Sequence, residues 1–295
     1  MEQLFHKKFS IRSTPSPEAA TNPHRFRIAS GCLAGPRRSK VTNKQINLRL
    51  IMNRSSTLYS WAGLLAALCG WATQTVSAAR NDLTIEEKAQ GWKLLFDGKS
   101  LNGWRGFRKS EPPAQGWVVE DGTLKHVAKG GGRDIITEGE FTDFDLQWEW
   151  RVAPGANSGL KYFITEDRTS AIGHEYQLID DSRHVDAKLG QGKRVTAAFY
   201  DVLKPSETKP KPVGEWNVSR VLVQGNHVEH WLNGNRVLDY ELGSDPLKAA
   251  IAESKFKTTS SFGTKMKGHI LLQDHGDEIA FCNIKIRELA GSPLR

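Results

Sequence analysis

The sequence predicts an all-β protein, a sandwich of antiparallel sheets built from short strands. Three observations carry this. Apolar residues alternate with polar ones through most runs beyond residue 120, the runs are five to nine residues long, and Gly, Asn, Asp and Pro clusters separate them. Long helical periods between strands, which a parallel βαβ arrangement needs, are missing from the pattern.

The elements follow in chain order. Residues 1–51 are basic, Ser/Pro-rich and without apolar periodicity, which fits either a disordered extension or upstream sequence joined by a start codon chosen too early. From Met52 the chain carries Arg54, an apolar core Trp61–Ala72, and Val76-Ser77-Ala78 before Ala79, the pattern of a secretory signal over 52–78. The core is about 12 residues, too short to span a bilayer. A basic disordered arm is the rival reading, and it leaves the apolar core unexplained. Leu68 before Cys69 argues against lipid attachment. The expected destination is periplasmic or secreted, with no membrane span after cleavage.

Net charge is +8, but residues 1–78 hold 11 Lys/Arg and two acids, which leaves 30 basic against 31 acidic residues from 79 onward. A globular part this close to neutral offers no footprint for nucleic acid. Only Cys282 lies beyond the leader, which excludes an internal disulfide there and argues against a cysteine-based metal centre.

Residues 79–90 read as a linker or short helix, with helical signal from Ile85 to Gln90. A single domain is expected over 91–289, followed by a tail at 290–295. Strands are expected at Thr123–Val127, Phe144–Val152, Gly159–Ile164, Gly173–Asp181, Arg220–Gln224, His227–Leu232, Arg236–Tyr240, Gly268–Gly276 and 280–287, with a weak helix at Leu247–Ser254. The turns at Gly225-Asn226 and Asn233-Gly234 join three of these strands into a meander.

Two runs carry proton-active residues. In Gly173–Asp181, Glu175 and Gln177 share a face, with Tyr176 and Leu178 toward the core. In Gly268–Gly276, read as one strand, His269, Gln273 and His275 share a face opposite Ile270 and Leu272. Such side chains suit sugar hydroxyls and proton transfer. Of seven tryptophans beyond the leader, Trp148 and Trp150 read as core, whereas Trp104 and Trp216 are expected in loops, either stacking on a sugar ring or plugging the ends of the sandwich. His227 and His230 fall on opposite strand faces and are not a metal pair.

Taken together, Gly91–Trp104, Asn157–Leu160, Glu175-Tyr176-Gln177, Gly214–Asn217, His230–Gly234 and Leu272–Gly276 make the chain resemble the 3-keto-disaccharide hydrolase domain family over roughly residues 90–289. The resemblance implies a concanavalin A-like jelly roll. It also implies a carbohydrate substrate, a glycoside whose sugar is oxidised at C3. The ketone acidifies the C2 hydrogen, a base removes it, the C1 aglycone leaves by elimination, and water adds back.

On that reading His275 is the leading base, and Glu175 is the alternative base or the group that orients the imidazole. Gln177, Gln273, Lys161 and Tyr200 bind hydroxyls or the enolate oxygen. Val195–Tyr200 departs from the family's usual run, and so does Lys161. No cofactor and no metal are expected, a structural calcium being compatible with the fold. Two rivals stand: a non-catalytic carbohydrate-binding module of the same fold, and an ordinary glycosidase, which needs two flanking carboxyls.

Overall fold

The structure, a computed structural model, describes residues 80–291; the expected extension, the signal segment and the end of the tail lie outside that span. A short helix, α1 (Ile85–Ala89), opens it, its first turn closed by a capping box between Thr84 and Glu87. The strands that follow are β1 (Lys93–Leu94), β2 (Trp104–Gly106), β3 (Trp117–Glu120), β4 (Thr123–His126), β5 (Ile135–Thr137), β6 (Phe144–Val152), β7 (Asn157–Ile164) and β8 (His174–Ile179). After two 3-10 turns come β9 (Asn217–Gln224), β10 (His227–Leu232), β11 (Asn235–Glu241), helix α2 (Asp245–Ala252), β12 (His269–Leu272) and β13 (Ile279–Glu288).

Among the described residues they form two antiparallel sheets. One runs β11-β10-β9-β6-β13-β4-β3, with β1 also paired to β13; the other runs β2-β5-β12-β7-β8. The meander β9-β10-β11 is present, and Asn233 and Gly234 at its second turn both take positive φ, as the tight turn requires. The sheets face each other across one core. Leu146, Trp148 and Trp150 of β6 and Phe281 of β13 meet Leu160 and Tyr162 of β7, Tyr176 and Leu178 of β8, and Ile270 and Leu272 of β12. Burying one indole withdraws roughly 200 Å² from water, worth about 5 kcal/mol at 25 cal/mol per Å². The core therefore fixes which face of each strand looks outward.

Strand β8 is buried on both faces. Tyr176 and Leu178 fill the core, and the segment 197–200 lies along its edge, where Tyr200 N–H donates to Glu175 O and Ala197 N–H to Gln177 O. This covers an otherwise open sheet edge and brings Tyr200 beside the outer face of β8.

The 268–276 run is shorter as a strand than the sequence pattern suggests. β12 ends at Leu272, because the Asp274 carboxylate accepts the Gly276 N–H and turns the chain, with Gly276 at φ 88°. A register shift between His269 and Leu271 breaks the alternation at the other end. His269, Gln273 and His275 consequently do not share one face: His269 is tied to Gly139 O (3.2 Å), and His275 sits in the turn.

Candidate active site

Outward-facing residues of β7 and β8 make the floor of a cavity of about 350 Å³, a size that suits a small ligand. The register sets Lys161 opposite Glu175 and Gly159 opposite Gln177. Glu175 Oε2 lies 3.7 Å from Lys161 Nζ, and both side chains are nearly buried. Gly159 makes the space: a Cβ there would stand 2.4 Å from Glu175 Oε1. Gln177 reaches Asn157 Oδ1 at 3.2 Å, and in its other amide orientation it donates to Glu175 Oε1, also at 3.2 Å. Gln273 also lines the cavity, and its buried Oε1 has no partner among the described residues. A buried acceptor left open in a cavity is a place for a ligand hydroxyl.

One wall comes from residues distant in sequence. Arg194 bridges Asp186 (2.7 Å) and Asp201 (2.7 Å); Tyr200 OH donates to Asp186 Oδ2 (2.8 Å), and Asp201 Oδ2 accepts the Lys255 N–H (2.8 Å). This lattice seats Lys255 Nζ 4.1 Å from the Tyr200 ring centroid, facing the cavity. Tyr200 thus spends its proton on Asp186 and serves as a platform, not as a free hydroxyl donor. Ile172 and Phe256 supply apolar surface.

Burial dominates the electrostatics. It raises the Glu175 pKa above the ordinary glutamate value, only partly offset by the Lys161 and Lys255 cations. Burial likewise lowers the Lys255 pKa, against the pull of Glu175. A desolvated carboxylate facing an ammonium of reduced basicity, that of Lys255, is suited to moving a proton near neutral pH.

Glu175, Gln177, Lys161, Gln273, Tyr200 and His275 all line this cavity. His275 stands at its rim with its side chain 45% exposed, Nε2 3.5 Å from Asn157 Nδ2 and Nδ1 3.8 Å from Asp277 Oδ2. The two tryptophans do not belong. Trp104 is only 1% exposed, and its Nε1 donates to Leu95 O, so its ring is core and offers no face to a sugar. Trp216 lines a separate cleft, held between the Arg80 and Arg151 guanidinium groups at 5.0 and 4.8 Å.

Lys255 and His184 were not singled out by the sequence patterns, and Asn157 entered only through the Asn157–Leu160 run that carries the family resemblance, with no role of its own. Asn157 had a signal, since it shares the odd-numbered face of β7 with Gly159 and Lys161; Lys255 had none, its place depending on the fold of two loops. Among the described residues, one group of potential metal ligands converges, and it does so at the same rim: His184, His275 and Asp277, whose ligand atoms lie within 4.8 Å of one another.

The profile of the 3-keto-alpha-glucoside-1,2-lyase-like domain matches residues 91–287. The chain belongs to this family. A 3-keto-disaccharide hydrolase from Bacteroides thetaiotaomicron is 34% identical over 248 residues, covering 74% of this chain and 85% of the relative. Of solved structures, a Parabacteroides distasonis protein provisionally assigned as a glycosyl hydrolase superposes with a TM-score of 0.66 at 34% identity, over 72% of this chain and all of that one. A second provisionally assigned glycosyl hydrolase from the same organism gives 0.54 at 29% identity, over 67% of this chain and 99% of that one.

Proposed function

We propose that this protein is a periplasmic or secreted enzyme that cleaves 3-keto-glycosides by removing the C2 proton, expelling the C1 aglycone and rehydrating the product. The observation that supports it best is the charge inventory of the cavity: among the described residues its lining holds one carboxylate, Glu175, surrounded by Lys161, Lys255 and amides. An ordinary glycosidase needs a second carboxyl flanking the bond. Elimination needs one base, and cations or N–H donors where the enolate charge develops.

The roles follow from position. Glu175, buried and of raised pKa, takes the C2 proton; this favours it over the solvent-exposed rim residue His275 as the base. Lys161 and Lys255 stabilise the oxyanion that forms at C3, and Asn157, Gln177 and Gln273 hold hydroxyls. The C1–O bond then breaks with its electron pair leaving on the aglycone oxygen, which takes up a proton. Water adds at C1 and a proton returns to C2, which completes net hydrolysis.

A binding module of the same fold would need the amides but not a desolvated carboxylate. The test is to incubate the protein with an aryl 3-keto-glucoside and with its unoxidised parent and follow aglycone release. Release from the keto sugar alone is expected. Release from both at similar rates would point to an ordinary glycosidase, and binding of both without release to a lectin-like module.

A further inference from the structure

We propose that His184, His275 and Asp277 bind a divalent transition-metal ion at the mouth of the cavity. The three residues come from two separate segments, the turn after β8 and the turn after β12, and their ligand atoms converge within 4.8 Å of one another. The His184 and His275 rings meet edge to face with centroids 5.8 Å apart, and His275 Nδ1 is 3.8 Å from Asp277 Oδ2, too long for a good hydrogen bond. An ion that draws on both atoms accounts for a pair that approaches without bonding.

The surroundings brace two of the ligands. Asp277 Oδ2 accepts the Asn157 N–H at 2.9 Å, and the Asn157 side-chain amide lies 3.5 Å from His275 Nε2. Metal ligands are commonly oriented by such outer contacts. His184 is the ligand that must adjust. Its Nδ1 accepts the Asp186 N–H at 3.1 Å, and coordination through either nitrogen replaces that bond: the ion takes the Nδ1 lone pair, or Nδ1 takes the proton that Nε2 gives up.

Two imidazoles and one carboxylate select zinc, cobalt, nickel or iron over calcium and magnesium, which prefer oxygen. Three protein ligands leave coordination positions open. Because His275 also lines the cavity, those positions adjoin the space where a sugar's oxygens would lie. Only this last contact rests on the glycoside reading above; the ion itself is argued from the chain alone.

Direct binding therefore tests it without sugar. The protein is stripped with a chelator and titrated with Co²⁺ or Zn²⁺ by calorimetry, with Ca²⁺ as comparison. One ion per chain is expected, at least about tenfold tighter for Co²⁺ or Zn²⁺ than for Ca²⁺. H184Q, H275Q and D277N should each weaken binding about tenfold or more, while H227Q, on the far hairpin between Glu229 and Glu241, should bind as wild type. D277N keeps an oxygen for the Asn157 amide, and thermal melts in chelator identify any variant that fails to fold. Absence of saturable binding in the folded wild type, or undiminished binding in all folded ligand variants, overturns the site. E175Q should bind the ion normally, so a failure of the glycoside chemistry and a failure of the metal site give different results.

Discussion

Glu175 sits under opposing influences: burial disfavours its charge, and the Lys161 and Lys255 cations favour it. Burial wins, so the folded state holds a proton on this group at pH values where the unfolded chain, with a glutamate near 4.5, has released it. The sign follows. The stability linked to this proton is fully present below the unfolded value and is lost as pH rises through the higher folded one. E175Q carries no such titration, so the melting temperature of wild type relative to E175Q should fall across that window and level off above it. Melts of both proteins from about pH 4 to about pH 8 check this; a difference that stays constant would mean the carboxylate is not desolvated. The same substitution should lower turnover of a 3-keto-glycoside by about 10² to 10⁴, the usual worth of a general base.

The antiparallel pair β7–β8 positions that carboxylate, and much of it was legible in the sequence. Alternation assigned Glu175 and Gln177 to one face and Tyr176 and Leu178 to the core, which is how β8 sits. What alternation missed has local causes: β2 and β5 have three residues each, too few to show a period, and the β3–β4 hairpin hangs on Asp121-Gly122, both at positive φ. The side-chain turn at Asp274 cut β12 short and carried His275 to the rim, because a carboxylate that captures a backbone N–H overrides strand propensity. Gly159 tests the pairing itself. G159A would place a Cβ 2.4 Å from Glu175 Oε1, and the carboxylate, being buried, has little room to yield. Turnover should fall about 10²-fold, as a misplacement of about 1 Å can cause, with the far-ultraviolet spectrum unchanged. Combined with E175Q, G159A should add little further loss; additive losses would mean that Gly159 acts elsewhere.

At the scale of the whole molecule, the sandwich brings together residues a hundred positions apart, and this decided where sequence reading stopped. Lys255 reaches the cavity only because Asp201 holds its backbone and the Tyr200 ring supports its ammonium, an arrangement no local pattern encodes. Trp104, expected in a loop, instead opens β2, and its ring completes the core, the packing alternative and not the sugar-stacking one. The assembled cavity makes one demand on the order of chemical events. With one carboxylate in its lining among the described residues, the elimination proposed above requires proton removal at C2 to precede or accompany departure of the aglycone, whereas an ordinary glycosidase acts through two carboxyls on an unactivated sugar. A 3-keto-glycoside deuterated at C2 should therefore turn over more slowly than its protium form, or lose its label to solvent before cleavage, as followed by NMR and aglycone release. E175Q should abolish the label loss as well as the cleavage, because both begin with the same proton. If cleavage proceeds with the label retained in recovered substrate and no primary isotope effect, then either bond breaking at C1 comes first or a later step limits the rate. Single-turnover measurements separate the two: a chemical step insensitive to C2 deuteration removes the elimination mechanism, whatever limits the steady state.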